Sequence, residues 1–110
     1  MRIIYCLCKA SYWEQFKDKK EYVPRDYNEE GFIHATKGDD LLMNVANRVY
    51  KDCTDELLLL VIDEDRVTSE VKYERAKDSN LYPHIYGPLN TDAIIEIKCL
   101  HKTESGWTLG

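Results

Sequence analysis

Six side chains in this 110-residue chain carry reactive or binding groups in unusual settings: His34, Thr36, Arg48, Glu74, His84 and Tyr86. His34 lies in EEGFIHAT (29–36), among Phe32, Ile33 and Ala35, the residues of a half-buried strand. His84 lies in YPHIYGPL (82–89), between Tyr82 and Tyr86 and punctuated by Pro83 and Gly87-Pro88. Proline fixes φ and a Gly-Pro pair marks a turn, so the expectation is a rigid loop presenting His84. Arg48, in NVANRVY, is a cation on an apolar helix, and its guanidinium fork suits a carboxylate or a phosphate. Glu74 ends VKYE, where Val71 and Tyr73 share one strand face and Lys72 and Glu74 the other.

Three kinds of site fit these groups. One is a nucleotide pocket, with Arg48 on a phosphate, Tyr82 or Tyr86 stacked on a base, Glu74 on a ribose hydroxyl and Thr36 adding a hydroxyl of its own. The second is a metal site, because two His and one carboxylate form a known ligand set. These three are widely separated in sequence, and no metal ligand is assigned. The third is a buried polar network that only fixes the fold. His34, Thr36, Arg48, Glu74, His84 and Tyr86 are the candidate site residues in each case. The residues by themselves leave the three kinds open.

The elements that must position them can be read from periodicity. IIYCLC (3–8) is a buried strand. SYWE (11–14) has the form of a capping box and starts a helix that runs to about Lys20, with Trp13 and Phe16 on one face. PRDYNEEG (24–31) is a polar connection and FIHA (32–35) a strand. A second helix follows, with Thr36 or Asp39 as its N-cap and acidic residues at its positive end. Its apolar stripe is Leu41, Leu42, Val45, Ala46 and Val49. LLLLVI (57–62) is apolar throughout, as a central strand covered on both faces would be. EVKYE (70–74) and AIIEIKCL (93–100) are further strands. The expected fold is α+β, with two helices in the N-terminal half and a mostly antiparallel sheet. A single domain covers 1–100, and 101–110 is a C-terminal tail that either adds a short edge strand or stays loose.

The bulk numbers exclude some functions. A formal charge of −5 with dispersed cations argues against general nucleic-acid binding. KDKK (17–20) is balanced by Glu14, Asp18 and Glu21 and reads as a solvated helix end. No stretch approaches the ~20 apolar residues of a membrane span. No apolar leader with a cleavage site is present, so the expected location is cytoplasmic, with the four Cys reduced. Cys6 and Cys8 lie two apart on one strand face and read as small core residues. Oligomeric state is not legible from composition.

EGFIHAT, VANRVY and PHIYGPL together resemble the small bacterial family known as domain of unknown function 952, from about Ile3 to Leu100. That family is grouped with the ADP-ribosyltransferases. The resemblance therefore implies a sheet split around a cleft that holds NAD, the one cofactor it suggests. Enzymes of that group use a His or Arg on the first strand, a hydroxyl or aromatic on a middle strand and often a Glu on a late strand. His34, Arg48, Glu74, His84, Tyr86 and Gly87 match family positions, and the resemblance implies catalytic roles for Glu74 and His84 and binding roles for His34, Thr36, Arg48 and Tyr86. The family's first strand typically reads Tyr-His, whereas here Tyr5 is followed by Cys6. The resemblance thus implies either an enzyme, worn down at that position, or a non-catalytic module that binds a small molecule or a protein.

Overall fold

In a computed structural model, residues 2–108 are described. The core is built on the aliphatic run, which forms strand β4 (Leu57–Asp63) with all seven residues buried. Both its neighbours are antiparallel: β1 (Ile3–Lys9) on one side and β8 (Ile94–Thr103) on the other, with β9 (Gly106–Thr108) beyond β8. Leu58, Leu60 and Ile62 point into the larger core with Ile4, Cys6, Cys8, Trp13 and Tyr22. Leu59 and Val61 point the other way, onto Leu42. A continuous apolar run is needed because this strand has no solvent face.

The opposite face is covered by α3 (Asp39–Val49). Only Leu42 and Ala46 of its stripe are fully buried, and Val49 is 60% exposed. The expected N-caps are not used: Gly38 holds that position at φ +97 with no side-chain cap, and Thr36 belongs to the preceding strand region. Asp39 and Asp40 do lie in the first turn, where the exposed amide N–H groups favour negative charge.

The first helix is much shorter than its capping box implies. It is one turn, α1 (Ala10–Trp13), with Lys9 as N-cap and no side-chain cap. The Ser11 hydroxyl donates instead to Asp55 Oδ2 at 2.5 Å. Glu14 pairs with Lys17 at 2.8 Å. What shapes the segment is a cluster of rings: Tyr12, Trp13 and Phe16 all pack on buried Tyr22 at 5.3–6.2 Å between centroids. Trp13 and Phe16 thus share a face as expected. The polar connection holds a further one-turn helix, α2 (Tyr27–Glu30), ended by Gly31 at φ +81. The N-terminal half therefore has three short helices.

Two smaller sheets complete the fold. Strands β2 (Glu21–Tyr22) and β7 (Leu89–Asn90) pair with each other. Strands β3 (Ile33–His34), β6 (Leu81–Tyr86) and β5 (Glu70–Arg75) form an antiparallel sheet in the order β3-β6-β5. This sheet meets β1 at a single bridge, where Tyr5 and Thr36 exchange two backbone hydrogen bonds of 2.8 Å. The tail takes the edge-strand alternative, and β8 runs through residue 100 without a break. Trp107 is buried against Ala46, Leu57 and Leu100. No helix among the described residues is long and apolar enough to cross a membrane.

Candidate functional site

The segment expected to be a rigid loop is the middle strand of the three-stranded sheet. YPHIY forms most of β6, paired with β3 on one side and β5 on the other. Proline is normally excluded from such a position because it lacks an N–H. Here the gap falls at the end of a very short ladder: Ala35 N–H donates to Pro83 O at 3.0 Å, just past the last residue of β3. Pro83 and Ile85 then face the core, and Tyr82, His84 and Tyr86 lie on the other face of the strand, where Tyr82 is itself buried and lines the cleft with His84. The strand is stopped by Gly87, at φ +149, where a Cβ would collide with Ser69 Oγ.

His34 and His84 are directly opposed cross-strand partners, with ring centroids 5.3 Å apart. Phe32 completes the cluster. Its ring stacks on His84 at 4.1 Å and packs on His34 at 4.6 Å and Tyr86 at 5.3 Å. Each such contact is worth about 0.5–1.5 kcal/mol beyond area burial for aromatic pairs. His34 is the exposed member, with its side chain 54% accessible against 12% for His84. His34 Nε2 lies 3.6 Å from Glu30 Oε2.

Glu74 supports His84 from behind. Its Oε1 is 2.7 Å from His84 Nδ1 and also accepts from the Tyr86 hydroxyl. These hydrogen bonds, Tyr86 first and His84 second, hold the Glu74 carboxyl below its ordinary range. An ionised carboxylate only accepts, so Nδ1 is the donor and Nε2 is left for other work. The Glu74 carboxylate thereby raises the Tyr86 hydroxyl above its usual value.

A group held below its unfolded value adds stability above that unfolded value and loses it as pH falls through the folded one. Glu74→Gln removes this contribution. Melting temperatures of the wild type and Glu74→Gln are therefore expected to converge on acidification below about pH 4.3. Parallel curves from neutral to acid pH would contradict this wiring.

The imidazoles open onto a cleft of about 340 Å3. Its walls are β1 (Tyr5, Cys6, Leu7), the end of α3 (Val45, Arg48, Val49), the segment holding Tyr22, Asp26 and Glu30, and the His-bearing sheet. That volume lies in the range of small-molecule sites. Arg48 stands at the rim, 60% exposed and 3.9 Å from Asp78 Oδ2, a loose pair that leaves the guanidinium accessible. Asp78 also accepts from the Tyr82 hydroxyl at 2.5 Å, which is the main reason its carboxyl sits below the usual range. A larger, more open hollow of about 630 Å3 adjoins the cleft and shares Leu7, Tyr22, Pro24, Asp26 and Tyr50, but carries neither His.

Of the six residues singled out by sequence, His34, Thr36, Arg48 and His84 line the cleft. Glu74 and Tyr86 do not: Glu74 touches the cleft residue His84, and Tyr86 packs on Phe32, which stacks behind His84 outside the cleft lining. Thr36 contributes its backbone to the bridge between sheets. Cys6 lies in the cleft wall at 3% exposure, its Sγ 3.4 Å from the His34 carbonyl. Burial pushes its thiol up to about 12, so it is no thiolate nucleophile. Phe32, Asp78 and Glu30 were not singled out for a role. Phe32 alternates with His34 and was legible as a face-mate, whereas Asp78 sits in a turn with no local signal. Among the described residues no group of three or more His, Cys, Asp or Glu is placed to hold a metal ion.

Solved structures share this fold. The crystal structure of protein CC0527 from Caulobacter crescentus superposes with a TM-score of 0.86 at 22% identity, covering 98% of this chain and 95% of that one. The solution structure of the same protein gives 0.79 at 20% identity, covering 97% and 91%. At these identities the likeness shows the fold alone. No curated protein matches the chain. The family model described as protein of unknown function (DUF952) matches residues 7–97, a span that takes in the His pair and every cleft residue except Tyr5 and Cys6 of β1, and the chain belongs to that family.

Proposed function

We propose that the cleft binds a small ligand of the nucleotide type, with NAD or an ADP-ribose derivative the first candidates. The observation that carries this reading is the cross-strand His34–His84 pair, packed on Phe32 at the mouth of a cleft that has an accessible Arg at its rim. Flat rings supply a stacking surface, imidazole nitrogens supply directed hydrogen bonds, and a guanidinium takes a phosphate bidentately. His84 has its ring orientation fixed by Glu74, so less order must be created on binding. In this reading Glu74 is a positioning residue and not a direct ribose contact.

The fit to NAD is partial. A base, a ring and a phosphate each find a matching group. The first-strand position that carries His in the resembling enzymes is a buried thiol engaged with the His34 carbonyl. If NAD binds, His34, His84 and Arg48 would hold it, with Phe32 backing the His84 ring. The cofactor would supply a ribose carbon open to displacement. Cys6 favours a second reading, a binding module without turnover. An intracellular setting belongs to the same proposal, on the free thiols of Cys6 and Cys8, and so does the absence of general nucleic-acid binding, on the net charge of −5.

Thermal melts with NAD, ADP-ribose, nicotinamide, AMP and zinc separate these readings. A nucleotide at about 100 times its dissociation constant is expected to stabilise the protein by ~2.7 kcal/mol. The shift should vanish in His84→Ala. If no nucleotide shifts the melt, the reading fails and the His pair stands as a polar group that fixes strand register.

A further inference from the structure

The cleft lies on the β1 side of the four-stranded sheet, and among the described residues part of the opposite side is uncovered. Strand β8 is paired with β4 on its inner side. On its outer side β9 covers only His101–Thr103, and a short 3-10 turn (Thr91–Ala93) precedes the strand. Among the described residues no ladder covers the outer edge of 94–100. This stretch, IIEIKCL, is unusually apolar for an open edge: Ile95 is 40% and Ile97 43% exposed. Cys99 is exposed as well. Open edges are normally blunted by charge, proline or shortness, because their unpaired N–H and C=O groups template another strand. A bulge at Val61/Ile62 leaves Ile95 without a partner on β4 but lies at one end of the window.

We propose that this edge pairs with the same edge of a second copy, antiparallel about a two-fold axis through Ile97. Three observations fix that register. First, the open window runs from 94 to 100, and its midpoint is Ile97. A two-fold there sets Ile94 of each copy opposite Leu100 of the other, so the paired windows end where β9 begins, at His101. Second, directly opposed residues of an antiparallel pair point to the same face. A two-fold perpendicular to the sheet must therefore set some residue opposite itself. Third, charge selects which one. About Ile97, Glu96 faces Lys98 of the second copy, and Lys98 faces its Glu96. Moving the axis by one residue either way sets Glu96 against Glu96 or Lys98 against Lys98. Like charges directly opposed are destabilising and unlike ones favourable. The occupant that matches in length, polarity and charge order is thus the strand itself.

Such pairing joins two four-stranded sheets into one of eight. It closes the edge by the isologous contact that two-fold dimers use. The cleft lies beyond β1, at the far side of the sheet, and stays open in both copies.

Sedimentation velocity across a concentration series of the full chain tests this. The wild type is expected to be a dimer that dissociates on dilution. Glu96→Lys sets Lys against Lys98 twice and should raise the dissociation constant at least tenfold. Lys98→Glu should do the same by opposing Glu96. The double exchange Glu96→Lys with Lys98→Glu restores both pairs and should restore the dimer. All four proteins should keep the same circular dichroism spectrum, since both side chains are exposed. A wild type that stays monomeric at every concentration would overturn the proposal. A dimer indifferent to the single reversals, or one that the double exchange fails to rescue, would also overturn it.

Discussion

Trp107→Ala is expected to lower the stability of the folded chain by about 3–5 kcal/mol. The residue lies ten positions beyond the end of the family match, yet it is only 6% exposed. It sits between α3 and the sheet, on Ala46, Leu57 and Leu100. Its indole N–H donates to Tyr50 O at 2.8 Å, and its backbone N–H to Asn47 Oδ1 at 2.7 Å. Truncation removes the ring from a packed site and leaves the Tyr50 carbonyl without that donor. For a domain near this size each kcal/mol is about 4–8 °C in melting temperature, so the loss is tens of degrees. A fall of only a few degrees would mean that the last strand is an ornament on a fold complete without it.

Leu42→Ala is expected to cost about 2–5 kcal/mol, while Val49→Ala stays within about 0.5 kcal/mol. Both residues lie on one apolar stripe of α3 by spacing. Leu42 is fully buried between Leu59 and Val61 of β4. Val49 is the last residue of the helix, 60% exposed beside Arg48 at the cleft. Paired urea melts measure the difference, with midpoints compared at constant slope. Equal losses would show that the helix end is packed in solution. The contrast matters for function, because an exposed Val beside Arg48 offers apolar contact to a ligand without serving the core.

What was legible in the chain follows from how local each signal is. LLLLVI declares a strand with two covered faces, because no polar residue interrupts it, and β4 is that strand. Cys6 and Cys8 two apart on β1 declare a shared face, and both are core residues. SYWE misleads because its Ser is engaged by Asp55, 44 residues away, which no local pattern contains. YPHIYG misleads differently. Its alternation of Tyr82, His84 and Tyr86 against Pro83 and Ile85 is a strand signal, outweighed in reading by the proline and glycine beside it. The proline is tolerated only because β3 is two residues long. The sequence led to the expectation that His34 and His84 lie opposite one another; they do, but a ladder and not a loop opposes them. The Glu74–His84–Tyr86 wiring was half visible in the facing of VKYE. Asp78, which ties Tyr82 to Arg48, was not visible at all.

The bridge between Tyr5 and Thr36 gives the cleft a mechanical character. Two hydrogen bonds are the only backbone ladder joining the His-bearing sheet to the larger one among the described residues. Arg48 and α3 ride on the larger sheet, and His34 and His84 on the smaller. Ile33, Ala35 and Ile85 of the smaller sheet share the larger core with Ile4, Leu60 and Ile62, so the seam between the walls is packed side chains with this bridge as its backbone link. An occupant that touches Arg48 and the imidazoles together acts as a strut across the seam. It would quiet the relative motion of the two sheets, and the slowed exchange of the Tyr5 and Thr36 amides with solvent would register its arrival from beneath.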